Sequence, residues 1–248
     1  MNPIYERNTS PHIFDLDFKG EWKPSAFFQY LSEMASLHAE VLGFGYKASL
    51  DRDMHWVQSR MKIKFHRFPR YGATLLLRTW PKTIQQKLFF IRDFEVMEED
   101  ELIASASSAW LVIDAKERRL IPTTRLNVDI PMLPEKAGLA EPLERLNLGA
   151  RMEPVSVREV GYSEVDVVGH ANNSRYVEWI CNCFPMGWYE EHAIEWMQVN
   201  YDHEVRPGET VNISSGEVNG KDGLWYLTGK LAERDERAFE AAICWKLR

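Results

Sequence analysis

A short polar segment in the second half of the chain holds the residues best suited to chemistry. It reads Asp166-Val-Val-Gly169-His170-Ala-Asn172-Asn173 and precedes an amphipathic run that predicts a helix. Either asparagine suits the N-cap, because its short side chain accepts a hydrogen bond from the first turn. Asp166 and His170 should therefore lie where a helix N-terminus favours a developing oxyanion. A capped helix beside a solvated acid and histidine is the plain alternative.

The composition limits the class of protein. The chain has 248 residues, 45% of them hydrophobic, which is enough for one large domain or two small ones. Its 30 Lys and Arg against 37 Asp and Glu give a net charge of −7, which argues against a general nucleic-acid binder. There is no apolar signal core and no run of ~18 apolar residues that could span a membrane. We expect a soluble cytoplasmic protein.

Other catalytic and metal motifs are missing from the sequence. Three cysteines cannot form a full disulfide framework, which favours a reducing compartment. Cys181 and Cys183 have no second ligand pair nearby, so we interpret them as packing residues. The sequence contains no H-E-x-x-H spacing, Gly-x-Ser-x-Gly elbow or phosphate loop. We therefore expect neither a metal ion nor an organic cofactor.

The order of predicted elements indicates an α+β fold. Pro24 fits the start of a helix that ends at Gly43 and Gly45, with His38 as a packing residue near its apolar face. Residues 14–18 are interpreted as a short strand or strand end. The other predicted strands are 56–65, 73–80, 88–97, 102–113, 194–201, 210–217, 224–232 and 239–247. We predict domains at 1–121 and 151–248, joined by a proline-marked surface linker at 122–150.

An internal repeat relates the two halves. They share the patterns Asp17-x-x-Gly20-x4-Ser25 and Asp166-x-x-Gly169-x4-Ser174, and Trp110 matches Trp245. Each copy is predicted to be an antiparallel sheet wrapped around its own helix. The first copy has Glu21 where the second has His170, and it lacks both asparagines. A purely structural cluster should occur in both copies, so the repeat favours a functional role.

Ordered motifs along nearly the whole chain resemble one known family. They are His38-Ala39-x-x-Leu42-Gly43-x-Gly45, Trp56-Val57, Thr79-Trp80, Arg92-Asp93-Phe94, Ala109-Trp110-Leu111-Val112-Ile113-Asp114, Asp166-x-x-Gly169-His170-x-Asn172-Asn173-x-x-Tyr176-x-x-Trp179 and Tyr201-Asp-His-Glu204. This set resembles the acyl-acyl-carrier-protein (acyl-ACP) thioesterases of plants and bacteria. The resemblance implies two tandem hotdog domains, each an antiparallel β-sheet around a long α-helix. The first would supply the acyl pocket and the second the catalytic residues.

The resemblance implies hydrolysis of fatty acyl-ACP to a free fatty acid and the carrier protein, in fatty acid biosynthesis. Asp166, His170 and Glu204 match the family's catalytic turn and strand acid. Val168 replaces an asparagine of the plant pattern. Val205 replaces a frequent cysteine, so a Cys–His nucleophile is excluded at this site. Without the resemblance, Glu204 would be interpreted as an exposed acid beside a turn.

Several mechanisms are compatible with these residues. Glu204 or Asp166 could act as general base on a water, and His170 could orient the water or the carbonyl or protonate the thiolate. Backbone amides near Asn172 and Asn173 would polarise the carbonyl. Direct attack by a carboxylate, which forms an anhydride, is the competing route.

Further residues are predicted to bind substrate. By resemblance, Trp56 and Trp80 are assigned to the acyl pocket. Arg60, Lys62 and Lys64 form a basic strand face that would dock the acidic carrier protein, and a solvated strand face is the alternative.

Other functions stay open at this point. An acyl-CoA thioesterase of the hotdog type shares the turn and the fold. A hotdog protein that binds acyl thioesters without turnover belongs to a different class, and a dehydratase-like hotdog fits the order of motifs less well. The tandem copies already form an internal pair, so a homodimer is not required and stays open.

Overall fold

Each half of the chain forms its own antiparallel sheet with helices. The computed structural model describes residues 2–126, 129–143, 145–146 and 149–248, and it divides into the units Met1–Leu143 and Glu144–Arg248. The predicted α+β class is confirmed. None of the helices in these described residues has the length and apolar run that a membrane crossing needs.

The first unit is a sheet with one long helix. Its strands are β1 (Tyr5–Thr9), β2 (Met54–Phe65), β3 (Leu75–Gln85), β4 (Phe89–Glu98) and β5 (Glu101–Asp114), in the order β1-β3-β4-β5-β2. Helix α1 (Pro24–Val41) starts at the predicted proline, and Gly43 follows its end with a left-handed φ of 79°. A short α2 (Tyr46–Leu50) comes next. The helix buries its apolar face, where the Phe27 ring lies 5.0 Å from that of Phe65 on β2.

The second unit repeats this connectivity with shorter helices. It contains β6 (Glu153–Glu159), α3 (Asn173–Cys181), α4 (Met186–Glu191), β7 (His192–Tyr201), β8 (Thr210–Glu217), β9 (Leu224–Leu231) and β10 (Arg237–Leu247), with the sheet order β6-β8-β9-β10-β7. Helix α3 has 9 residues against 18 in α1. Its Tyr176 packs on Tyr201 of β7 and Phe239 of β10, at ring distances of 5.4 and 5.6 Å. Phe184 lies beyond the end of α3.

The strand predicted at residues 14–18 is wrong. Ile13–Asp15 forms a 3-10 turn, closed by the His12 N–H donating to Asp15 Oδ2 at 3.1 Å, and Leu16 makes an isolated bridge to Trp22. The alternating apolar residues that suggested a strand are not buried, since Phe14 is 72% and Phe18 51% exposed. The alternation of apolar residues at 14–18 therefore does not correspond to a strand with a buried face.

A segment that we call the strap, residues 129–143, lies against the first sheet. Leu139 is buried, Leu133 N donates to Pro81 O at 2.9 Å, and Gly138 N donates to the Asp93 carboxylate at 2.8 Å. A Cβ on Gly138 would lie 2.9 Å from the Phe94 carbonyl oxygen, so this close approach requires glycine. The predicted linker at 122–150 includes residues 127, 128, 144, 147 and 148, which lie outside the described residues. The predicted domain boundaries stay a prediction.

Candidate active site

The backbone of the second unit forms a tight turn before α3. Asp166 N donates to His170 O at 2.9 Å, and Gly169 N donates to Asp166 O at 3.0 Å. Gly169 has a φ of 87°, which favours glycine over any residue with a Cβ. The Asp166 carboxylate accepts a hydrogen bond from Val168 N at 2.9 Å. These bonds fix the position of His170 at the exit of the turn.

His170 lies beside Glu204. Ala171 N donates to Val205 O at 2.8 Å, which joins the turn to the segment that follows β7. This contact brings His170 Nε2 to 3.2 Å from Glu204 Oε2, and the two side chains keep 19% and 32% of their surface exposed. A carboxylate in this position orients an imidazole and stabilises its protonated form. The pair can therefore move a proton to or from a bound ligand.

Asp166 lies in the same turn, but its carboxylate contacts backbone. Tyr176 is buried, and its pKa is affected by the charges of both Asp166 and Glu204. Burial raises the pKa of Tyr176 most, and the negative charges of Glu204 and Asp166 raise this pKa further. The structure thus brings His170 and Glu204 into contact and holds Asp166 nearby through its bond to Val168.

Of the two asparagines predicted as possible N-caps, Asn172 takes this position before α3. Its Oδ1 accepts from Ser174 N at 3.0 Å and from the Ser174 hydroxyl at 2.7 Å. Its backbone N–H donates to Glu164 O at 2.8 Å, so this amide is already used. Within the described part of the chain, the Nδ2 group is the donor of Asn172 that is left for a ligand. Asn173 starts the helix, and its carbonyl accepts from the Tyr201 hydroxyl at 3.2 Å.

Glu164 supports the turn and was missed by the sequence reasoning. Its carboxylate accepts from Gly161 N at 2.8 Å and from the Trp179 indole N–H at 2.7 Å. Glu164 lies three residues after Gly161 and accepts its N–H, which is the acidic half of a capping box; glycine has no side chain to form the other half. Glu164 ties the start of the turn to α3, which limits movement of the segment that carries His170.

The predicted pocket residues Trp56 and Trp80 belong to the first unit, and both indoles are held by the fold. Trp56 donates its indole N–H to Phe44 O at 3.0 Å, and its ring lies 5.0 Å from that of Phe90. Trp80 is fully buried and donates to Lys136 O at 3.1 Å. Their role in an acyl pocket stays a prediction.

The predicted docking stripe lies on β2. Arg60, Lys62 and Lys64 are half-buried, whereas Met61, Ile63 and Phe65 on the alternate face are buried, as the alternation predicts. The Arg60 guanidinium donates to Leu143 O at 2.8 Å and lies 5.3 Å from the Phe89 ring. Arg60 therefore helps to hold the strap, and the docking role of the stripe stays a prediction.

Metal binding and catalysis by a cysteine thiol find little support among the described residues. Among the described residues, no three or more His, Cys, Asp or Glu side chains are grouped so that they could hold a metal ion. Burial raises the pKa of Cys181 to about 12 and that of Cys183 to about 11, so neither thiol is an activated nucleophile.

Two family descriptions match the chain in order. The acyl-ACP thioesterase N-terminal domain matches residues 3–127, and the acyl-ACP thioesterase C-terminal domain matches residues 151–247. Among similar curated proteins, the oleoyl-acyl carrier protein thioesterase of Coriandrum sativum is 26% identical over 80% of this chain and 59% of its own length. The palmitoyl-acyl carrier protein thioesterase of Gossypium hirsutum is 25% identical over 96% of this chain and 66% of its own length. The chain thus spans about three fifths of the length of these relatives.

Solved structures with a similar fold cover nearly the whole chain or all of it. An acyl-ACP thioesterase from Bacteroides thetaiotaomicron superposes with a TM-score of 0.89 at 24% identity, covering 98% of both chains. The 12:0-ACP thioesterase from Umbellularia californica gives a TM-score of 0.83 at 19% identity, covering 100% of this chain and 99% of that one. These similarities confirm the predicted hotdog fold. The two domain matches, which together cover most of the sequence, show that the chain belongs to the acyl-ACP thioesterase family.

Proposed function

We propose that the chain hydrolyses a fatty acyl thioester of acyl carrier protein to a free fatty acid and the carrier thiol. The observation that carries this proposal is the contact between His170 and Glu204, 3.2 Å apart at the start of α3. Both side chains are partly exposed, as residues that meet a substrate must be. The names of the relatives support ACP as the carrier.

His170 is the general base in this proposal. Its Nε2 faces Glu204, so Nδ1 is the nitrogen that takes a proton from water. The water oxygen bonds to the thioester carbonyl carbon, and the Glu204 carboxylate stabilises the imidazolium that forms. The C–S bond then breaks, and the imidazolium gives its proton to the leaving thiolate. The products are a carboxylic acid and a thiol, and no cofactor takes part.

The start of α3 stabilises the tetrahedral intermediate. Helix N-termini favour negative charge, and the Nδ2 group of the capping Asn172 supplies a donor in the same turn. Val168 replaces the asparagine of the plant pattern and gives the site no amide at that position. Asp166 holds the turn through Val168 N, and its predicted catalytic role is tested separately below.

Steady-state hydrolysis of acyl-ACP and acyl-CoA with equal chain lengths tests the function. We expect wild type to prefer acyl-ACP, and we expect His170→Ala and Glu204→Ala to lower kcat with the circular dichroism spectrum unchanged. Asp166→Asn retains an oxygen that can accept from Val168 N, so a large loss of kcat in this variant would assign the carboxylate to the chemistry.

Three results would contradict the proposal. Near-normal kcat in all three variants would show that the site is wrong. Faster turnover of acyl-CoA would favour the acyl-CoA thioesterase, and tight binding of acyl-ACP without product would favour a non-catalytic acyl-thioester-binding protein.

The basic face of β2 is the proposed docking site for the carrier. Acyl carrier proteins are acidic, and Lys62 and Lys64 are half-buried cations on one strand face. Lys64→Glu should raise KM for acyl-ACP and leave KM for a short thioester analogue unchanged, with Lys116→Glu at an exposed turn as control. Equal changes for both substrates would exclude docking at this face. We also propose a cytoplasmic location, which the small number of cysteines, three in 248 residues, supports.

A further inference from the structure

The backbone of Glu204 and Val205 is held at several points. The Val205 carbonyl accepts from Ala171 N at 2.8 Å, which joins it to the turn before α3. The Glu204 carbonyl accepts from Arg234 Nη2 at 3.5 Å, and Val205 is fully buried. The Glu204 side chain leaves from this stretch of backbone, so its contact with His170 depends on how firmly the backbone is held.

Tyr176 of α3 contacts the N–H group of the same backbone. Burial raises the pKa of Tyr176 most, and a hydrogen bond from the Val205 N–H to its hydroxyl oxygen lowers this pKa. The Tyr176 ring packs against the rings of Tyr201 and Phe239, at centroid distances of 5.4 and 5.6 Å. The hydroxyl therefore reaches the residue after Glu204 from a ring whose position is fixed by packing.

The first unit lacks both partners of this hydrogen bond. Phe27 of α1 stands where the second unit has Tyr176, and phenylalanine has no hydroxyl. Trp22 N donates to the Pro69 carbonyl at 2.9 Å, as the residue at the same place before α3 does to the Val205 carbonyl. Pro69 therefore corresponds to Val205, and proline has no N–H to donate.

The residue before each of these positions differs in the same way. Phe68 precedes Pro69 and packs edge-on against Phe27, with ring centroids 5.8 Å apart. Glu204 takes the place of Phe68 in the second unit, so the apolar pair of the first unit is exchanged for Tyr176 and an acid. The first copy folds without the hydroxyl, and the hydroxyl occurs in the copy whose acid pairs with a histidine. A purely structural hydroxyl should occur in both copies.

We propose that Tyr176 is a positioning residue, whose hydroxyl holds the backbone at Val205 so that the Glu204 carboxylate stays in contact with His170. The inference rests on the proposed function, because it takes Glu204 as the group that stabilises the imidazolium. A catalytic group must be held within about 0.5 Å of its productive position, and the packing and hydrogen bonds behind it do this. Loss of the hydroxyl frees the Val205 N–H and lets the carboxylate move away from the imidazole. The rate of the chemical step falls, and substrate binding does not change.

Removal of the hydroxyl alone tests this role. Tyr176→Phe copies Phe27, and we expect it to lower kcat for acyl-ACP about tenfold and to leave KM within about twofold of wild type. In a Glu204→Gln background the same substitution should lower kcat less than about twofold, because the carboxylate that it positions is already gone. The control Tyr189→Phe removes a hydroxyl that donates to the Cys181 carbonyl at 2.8 Å, and it should leave kcat within about twofold. An unchanged kcat in Tyr176→Phe, or equal losses in both backgrounds, would overturn the proposal.

Amide hydrogen exchange tests the hydrogen bond itself and needs no substrate. The Val205 N–H should exchange at least about tenfold faster in Tyr176→Phe than in wild type, and Tyr189→Phe should leave this rate unchanged. The result stands even if no acyl-ACP is hydrolysed, so it separates this inference from the proposed function. Equal exchange rates in wild type and Tyr176→Phe would exclude the bond, and urea unfolding checks that each variant is folded.

A second variant removes the same hydrogen bond from its other side. Val205→Pro copies Pro69 and eliminates the N–H while the Tyr176 hydroxyl stays. If both substitutions break one bond, the double variant with Tyr176→Phe should have the kcat of the slower single variant. Losses of kcat that multiply in the double variant would contradict a shared role.

Discussion

The two turns that precede α1 and α3 have the same backbone and different side chains. In the first, Asp17 N donates to Glu21 O at 2.7 Å, and in the second Asp166 N donates to His170 O at 2.9 Å. The glycines of the two turns have φ values of 74° and 87°. Each aspartate accepts from the backbone N–H two residues later, at 2.8 and 2.9 Å. The backbone of the turn is therefore a property of the fold, and it does not distinguish an active copy.

The side chains carry the difference. In the first turn Lys19 lies 3.1 Å from the Glu21 carboxylate, and Arg70 lies 3.4 Å from it, so the buried acid is neutralised by cations. In the second turn Val168 replaces the lysine and His170 pairs with an acid. The shared aspartate is explained by the turn, whereas the His170–Glu204 pair occurs in one copy. The comparison therefore supports the proposed catalytic role of the His170–Glu204 pair more strongly than it supports a catalytic role of Asp166.

Replacing His170 and Glu21, the equivalent residues of the two turns, should give the largest difference in kcat between the two halves. General acid–base groups contribute roughly 10²- to 10⁴-fold to rate, so His170→Gln should lower kcat by that factor. Glu21→Gln should leave kcat within about threefold and instead lower stability by roughly 1–3 kcal/mol, because it disturbs a buried ion pair. Steady-state kinetics and urea unfolding of both variants measure this. Equal loss of kcat in the two variants would show that the turns do not differ in function.

The interior of the first unit should make its stability depend on pH. The folded pKa of His38, about 4, lies below its ordinary value of 6.5, so protonation favours the unfolded chain. Its contribution is complete above pH 6.5 and is lost as the pH falls towards 4, by about 3 kcal/mol. Urea unfolding across this range should show a flatter pH dependence in His38→Gln than in wild type. The exposed His66→Gln should behave as wild type, and a parallel curve for His38→Gln would contradict the burial of a neutral imidazole.

Replacing Glu204 should lower kcat less than replacing His170, because in the proposed mechanism Glu204 contacts the imidazole and not the attacking water. Glu204→Gln should lower kcat about 10- to 100-fold, since the amide cannot stabilise the imidazolium as a carboxylate does. The corresponding residue of the first unit is Phe68, which precedes the Pro69 carbonyl that accepts from Trp22 N. Phe68→Leu should change stability and leave kcat unaltered. A loss of kcat in Glu204→Gln larger than that in His170→Gln would make Glu204 the base.

Replacing the N-cap residues of α3 and α1 should give the smallest difference, and it should appear in the free energy of unfolding. Asn172→Ala removes a side-chain cap and should lower the free energy of unfolding by about 1 kcal/mol. Lys23, the N-cap of α1, makes no side-chain cap bond, so Lys23→Ala should cost under about 0.5 kcal/mol. Chemical unfolding resolves the two values, and equal costs would show that the asparagine does not act as a cap.

The sequence predicted the elements that have strong local signals. Asn172 as a cap and the strands with buried apolar faces were found, because capping chemistry and apolar periodicity are local. The edge strands β1 and β6 were missed. Their residues are mostly polar or exposed, and strands at a sheet edge need no buried face.

The site was only partly predictable. The repeat singled out His170, but its pairing with Glu204 needed a resemblance, since residues 34 positions apart meet only through the Ala171–Val205 contact. Arg92 appeared in the sequence as part of a family motif. Its contacts with His38 and Thr79 depend on which side chains surround it after folding, and no spacing rule reports them.

The strap has a practical consequence for anyone who expresses the halves separately. A fragment that stops at residue 121 would leave the Asp93 carboxylate without the Gly138 N–H, and the Trp80 indole without the Lys136 carbonyl. Buried groups that lose their partners in this way favour aggregation over folding. A fragment that extends to residue 143 keeps both of these partners.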